Sequence, residues 1–155
     1  NIDTGAWPAS HLRSLAPQGA YRAVEVNGTL QPDPANSLRH EALVQVFTAV
    51  DPNAAAAVVR RIRPLLQEAY ADLGYPDGDF EEALEGAVSR LLATPIPERP
   101  PALEKMVTSY RYVDPELEAL DPAQKAFLRM GSENMRKVRS QLIAIARALD
   151  LDIDT

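Results

Sequence analysis

The amino-acid sequence predicts a mainly α fold: a single compact helical domain of about five to six helices, with a small β-hairpin near the N-terminus. Three observations carry this. From Ala35 onward, apolar residues recur at helical spacing. Four Asp-Pro pairs, at Asp33-Pro34, Asp51-Pro52, Asp114-Pro115 and Asp121-Pro122, punctuate that pattern. A lone Asn27-Gly28 lies between two short alternating runs.

Residues 1–20 carry Gly5, Pro8, Pro17 and Gly19 without a steady period, and read as an extended arm pinned by Trp7 and Leu12. Residues 21–155 then form the helical domain. Tyr21–Val26 and Thr29–Gln31 flank Asn-Gly, whose type I′ turn needs positive φ at both central residues, so a hairpin is expected there as the main β structure. In each Asp-Pro pair the aspartate can accept from the orphan N–H groups of a new helix. The proline supplies a helical φ and has no N–H to leave unpaired. The pairs therefore mark four helix starts.

The first helix is expected over about Ala35–Val50, with Leu38, Ala42, Val46 and Val50 on its buried face. The second spans about Asn53–Leu73 and buries Val58, Ile62, Leu65, Leu66, Ala69 and Leu73, with a kink or break at Pro64. Asp79 and Glu82 make a capping-box pattern for a third, running to about Ala93 and burying Phe80, Leu84, Val88, Leu91 and Leu92. Pro95, Pro97, Pro100 and Pro101 form a stiff connector, and Met106–Val113 is an extended segment available to pair with the hairpin. Short helices follow at about Pro115–Leu120 and Pro122–Met130, the latter ended by Gly131 as an αL cap. Ser132 is placed to cap a last helix carrying Met135, Val138, Leu142, Ile145 and Leu149.

Composition narrows the function. With 22 acids against 16 lysines and arginines, the chain lacks the cationic excess that a nucleic-acid partner requires. The Arg60, Arg61 and Arg63 cluster reads as a solvated helix face. There is no cysteine, which removes disulfides, thiolate nucleophiles and Cys-ligated zinc together. No apolar run reaches the roughly 18 residues that span a bilayer. The chain starts at Asn1 rather than Met and has no signal-peptide pattern, so it reads as a fragment or a processed form.

Specific chemical signatures are missing too. His11 and His40 lack the convergent donors of a zinc site. No nucleophile elbow and no glycine-rich phosphate loop occurs, so no cofactor, metal or catalytic residue is expected. Asp150, Asp152 and Asp154 imitate the start of a calcium loop but lack its glycine and terminal glutamate, and read as a solvated acidic end. Glu81, Glu82 and Glu85 favour a helix N-terminus more simply than they make acid/base pairs. The most suggestive constellation is polar residues in apolar context: Glu68, Tyr70, Tyr110, Tyr112, Asp114 and Arg129. A partly buried Arg129 would need a carboxylate, with Asp114, Glu118 or Glu68 as candidates. Such a network either fixes helix docking or lines a binding pocket.

Several separated segments also carry a resemblance. They are Leu66–Pro76, Leu91–Pro95, Tyr110–Leu120, Gln124–Asn134 and, upstream, Pro34–Arg39. In order and spacing, from about Tyr21 to Leu149, the chain resembles a bacterial domain-of-unknown-function family, the one numbered 3014. The resemblance implies a proteobacterial envelope protein with one N-terminal membrane helix and a proline-rich tether, facing the periplasm. It brings no activity, cofactor or catalytic residue. The family usually has more helical sequence upstream, and commonly an aromatic where this chain has Ser37. Without those upstream helices, apolar faces are left open or are covered by another copy, making a homo-oligomer.

The expected function is therefore a non-enzymatic envelope module that binds a protein or another envelope component, with no nucleic-acid partner and with membrane contact only through a segment outside this chain. The competing expectation is a small-molecule-binding protein or hydrolase-like enzyme with a polar pocket around Glu68, Tyr110, Tyr112 and Arg129.

Overall fold

The computed structural model describes Ile2, Gly5 and residues 19–153. Of the expected arm, Trp7, His11 and Leu12 lie outside the described residues. The elements run β1 (Ala23–Val26), β2 (Thr29–Pro32), α1 (Ala35–Thr48), α2 (Pro52–Asp72), α3 (Phe80–Leu92), β3 (Leu103–Lys105), β4 (Tyr110–Tyr112), α4 (Pro115–Ala119), α5 (Pro122–Leu128) and α6 (Ser132–Leu149). The mainly α expectation with an N-terminal hairpin holds. Asn27 and Gly28 both take positive φ, 51° and 77°, as the turn requires.

All four Asp-Pro pairs start helices. Asp51 accepts from Ala54 N–H at 2.8 Å, Asp114 from Glu116 N–H at 2.9 Å and Asp121 from Gln124 N–H at 2.9 Å. Asp33 accepts from Ala35 N–H at 2.8 Å, with Pro34 already helical at φ −52° and ψ −30°. The reciprocal capping box forms at Asp121 and Gln124. At α3, Asp79 instead accepts from Glu81 N–H at 2.6 Å.

The sheet is larger than the hairpin. Its antiparallel order is β1-β2-β3-β4, with Leu30 opposite Leu103 and Leu103 opposite Tyr112. The extended segment around Tyr110 thus reaches the hairpin only through β3, a three-residue strand that the proline run before it concealed. One face of the sheet covers a core of Leu103, Tyr112, Leu117, Phe127, Leu128 and Met135. A second core joins Val88 and Leu92 of α3 to Ala146 of α6. Helix α6 is the spine, touching α1, α2, α3 and α5.

Several expectations need correction. The proposed core face of α1 is largely outside: Leu38 is 66% and Val46 69% exposed, while Asn36 and Val44 are buried. Apolar residues run round most of this helix, so spacing alone did not select the side that meets α6. On α2, Val58, Leu65 and Leu73 are likewise exposed, and the helix is unbroken through Pro64. Because Pro64 is exposed, water can satisfy the carbonyl that the missing N–H leaves open. Finally, Gly131 is not an αL cap. Its φ of 84° and ψ of 151° turn the chain between α5 and α6, a conformation that a Cβ disfavours strongly. Ser132 does not cap α6 either; its hydroxyl donates to the Pro97 carbonyl at 2.7 Å.

The arginines of α2 are exposed, as a solvated face implies, and two of them also reach across to other elements. Arg60 pairs with Asp150 at 3.1 Å and Arg63 with Glu81. No single helix among the described residues is long and apolar enough to cross a bilayer.

Candidate functional site

Strand β4 alternates, which turns Tyr112 into the core and leaves Tyr110 half-buried beside it. Tyr21, two residues before β1, packs against the same core as Tyr110. The Tyr21 and Tyr110 rings lie 6.3 Å apart at 58°. From the end of α5, the Arg129 guanidinium lies 6.0 Å from the Tyr21 ring centroid. The Tyr21 and Tyr112 hydroxyls are neighbours, and the Arg129 guanidinium lies near both.

These three side chains form a wall between two hollows. One, of about 230 Å³, is lined by them with Thr108, Ser109 and Tyr110, over a floor of Ala20 and Leu103. The other, of about 320 Å³, has prolines 97, 100 and 101 on one side and the α6 start on the other, with Asp33, Glu98, Arg99 and Glu133 at its edge. Burial pushes the Tyr21 phenol well above its ordinary range, with the Tyr112 hydroxyl next to it adding to the effect and Arg129 opposing it. Burial raises Tyr112 as well, against Arg129. Both phenols therefore stay protonated at neutral pH.

Of the six residues picked from the sequence, the structure brings together Tyr110, Tyr112 and Arg129. Tyr70 belongs to another cluster, stacked on Tyr75 at 4.9 Å and edge-on to Phe80. Asp114 caps α4, and Glu68 is exposed on α2. The carboxylates considered for Arg129 are engaged elsewhere or distant in the chain. Glu118 accepts from Lys125 Nζ at 2.8 Å and from Tyr112 N–H at 2.9 Å. Among the described residues Arg129 makes no ion pair; being exposed, it is solvated and requires none. Tyr21 was missed, since nothing local links it to residues some ninety positions on; only the strand order does.

Among the described residues no group of three or more histidines or acids is placed to hold a metal ion. His40 is half-buried on α1, and burial together with Arg39 lowers its pKa.

A family model with the description "protein of unknown function (DUF3014)" matches residues 1–146. No curated protein and no solved structure matches the chain.

Proposed function

We infer, for a chain that belongs to the DUF3014 family of proteins of unknown function, a binding role rather than a catalytic one. It is a bacterial cell-envelope module, held in the periplasm by an inner-membrane anchor elsewhere in the full protein, that binds a protein or another envelope component. The binding place is the face built from Tyr21, Tyr112 and Arg129. The observation that carries this reading is the convergence of those groups on one face. Two phenols and one guanidinium line a common hollow, where they offer hydrogen bonds and a positive charge to a ligand. The envelope setting rests on the resemblance described above.

The test is photo-crosslinking from position 108 in envelope extract, followed by mass spectrometry. A defined partner whose capture falls in R129Q and Y112F supports the reading. Capture unchanged in both variants, or turnover of a substrate that depends on Tyr112, overturns it.

A second reading is favoured by the outer faces of α1 and α2. Leu38, Leu43, Val46, Val50 and Val58 are all exposed there, and between residues 42 and 59 the only charge is Asp51. Two copies of a chain with net charge −6 repel least when they meet through such a surface. We propose self-association there, checked by sedimentation: a dimer that V46E dissociates is the expected result, and a concentration-independent monomer refutes it.

A further inference from the structure

We propose that the hollow enclosed by Tyr21, Tyr110 and Arg129 receives the carboxylate end of a small monoanion, with the guanidinium gripping the carboxylate and the tyrosine rings flanking its carbon body. The inference rests on reading the same face as a binding place, and adds the chemistry of what binds.

The first argument is the state of Arg129. Some of the described arginines pair with a carboxylate, namely Arg60, Arg63, Arg90 and Arg111, and others do not. Arg129 has no such partner among the described residues. It lies over the Tyr21 ring and lines the hollow beside Tyr112. A guanidinium has five N–H donors in a fixed fork, which a ligand in the hollow can take up.

The second argument is the lining. Among the described residues Arg129 is the one charged group around this hollow, and five others carry hydroxyls: Tyr21, Thr108, Ser109, Tyr110 and Tyr112. Among the described residues no carboxylate lines it to repel an anion. On the other side of the wall Asp33, Glu98 and Glu133 outnumber Arg99 and Arg129, which makes that hollow the less favourable place for negative charge.

Size and charge set the class. A volume of about 230 Å³ lies below the range of drug-sized pockets and suits a ligand of roughly ten heavy atoms. One cation balances one negative charge. A phosphate dianion would leave an uncompensated charge inside the field of a protein carrying net −6. A planar carboxylate also matches the guanidinium fork with two parallel bonds.

The experiment follows backbone amide resonances of the ¹⁵N-labelled full chain during titration with benzoate, with its neutral isostere benzamide, and with inorganic phosphate. Saturable shifts at residues 108–112 and 129 with benzoate, and none or far weaker ones with benzamide and phosphate, are expected. R129Q should weaken benzoate by about tenfold or more, as loss of a charge-assisted bond does. R99Q, which alters the far side of the wall, should leave it unchanged. Circular dichroism establishes that both variants are folded. Benzamide equal to benzoate, phosphate tighter than benzoate, or R99Q as damaging as R129Q each overturns the proposal. If benzoate fails to bind while partner capture still depends on Arg129, the carboxylate assignment falls and the binding role stands. If benzoate binds through Arg129 while capture ignores it, the reverse holds.

Discussion

Asn36 grips the backbone of Arg22 from both sides. Its Nδ2 donates to the Arg22 carbonyl at 2.7 Å, and the Arg22 N–H donates to its Oδ1 at 3.0 Å. A side-chain amide thus does for the chain entering β1 what a neighbouring strand would do. Asn36 is 4% exposed, and Asp33 N–H shares the same carbonyl at 3.0 Å. From the other side of α1, Asn134 Nδ2 donates to the Ser37 carbonyl at 2.9 Å and to Met130 at 3.0 Å. The two asparagines therefore fasten the hairpin to α1 and α1 to α6.

The clamp gives the first prediction. N36A removes two hydrogen bonds and leaves the part-buried Arg22 N–H without its partner, while the Arg22 carbonyl keeps Asp33 N–H, a loss of about 1–3 kcal/mol. N36D keeps the acceptor and loses the donor, so it should fall short of wild type as well. Urea denaturation at neutral pH measures both, and a loss in N36A under about 0.5 kcal/mol would show that water replaces the amide without penalty.

Gly131 is the second. Its φ of 84° with ψ of 151° is a region that residues with a Cβ rarely enter, and an added Cβ would also sit 3.3 Å from Ser37 Cβ. G131A should cost about 1–3 kcal/mol and loosen the α5–α6 corner that carries Arg129. Hydrogen exchange at Met135 N–H, bonded to the Gly131 carbonyl at 3.0 Å, should quicken; exchange at the wild-type rate with unchanged stability would refute the strain argument.

How far the sequence foretells this fold depends on the range over which each feature is decided. Asp-Pro caps and the Asn-Gly turn are settled within three or four residues, so Asp51, Asp114, Asp121 and Asn27 were readable directly. Strand β3 was not, because Leu103–Lys105 becomes a strand only by lying between β2 and β4. The side on which α1 is buried was misjudged for a similar reason: α6, a hundred residues later, selects Val44 over Leu38 and Val46. At the site, alternation brought out Tyr110 and Tyr112, and apolar neighbours brought out Arg129. Tyr21 needed the order of the strands.

Acid stability supplies the third prediction. The Lys125 ammonium and the Tyr112 N–H hold Glu118 below its ordinary value of 4.5. Burial alone would raise Asp121, yet the Gln124 N–H, Arg90 and the Ala123 N–H together outweigh it and bring it below 3.8. A carboxylate depressed on folding adds stability above its unfolded pKa, and that stability disappears as pH falls through the folded value. The urea midpoint should therefore decline from about pH 4.5 downward. E118Q should be less stable than wild type at pH 7 and decline less steeply in acid; parallel declines would rule Glu118 out as a contributor.

The site itself yields the last prediction, at the alkaline end. Burial raises Tyr21 and Tyr112 above the ordinary phenol value of 10.0, so folding favours their neutral forms. The sign is opposite to that of the carboxylates. The contribution is complete while both states are protonated, below about pH 10, and is lost as the unfolded phenols ionise above it. Denaturation midpoints should thus be flat from about pH 7 to 9 and then fall. Y21F removes one of the two groups, so its decline above pH 10 should be shallower than that of wild type. Absorbance at 295 nm adds a direct check, because two of the chain's five tyrosines should ionise only as the protein unfolds. If all five titrate together near pH 10 in the folded protein, the wall is open to water and its phenols are not the fixed donors that the binding role requires.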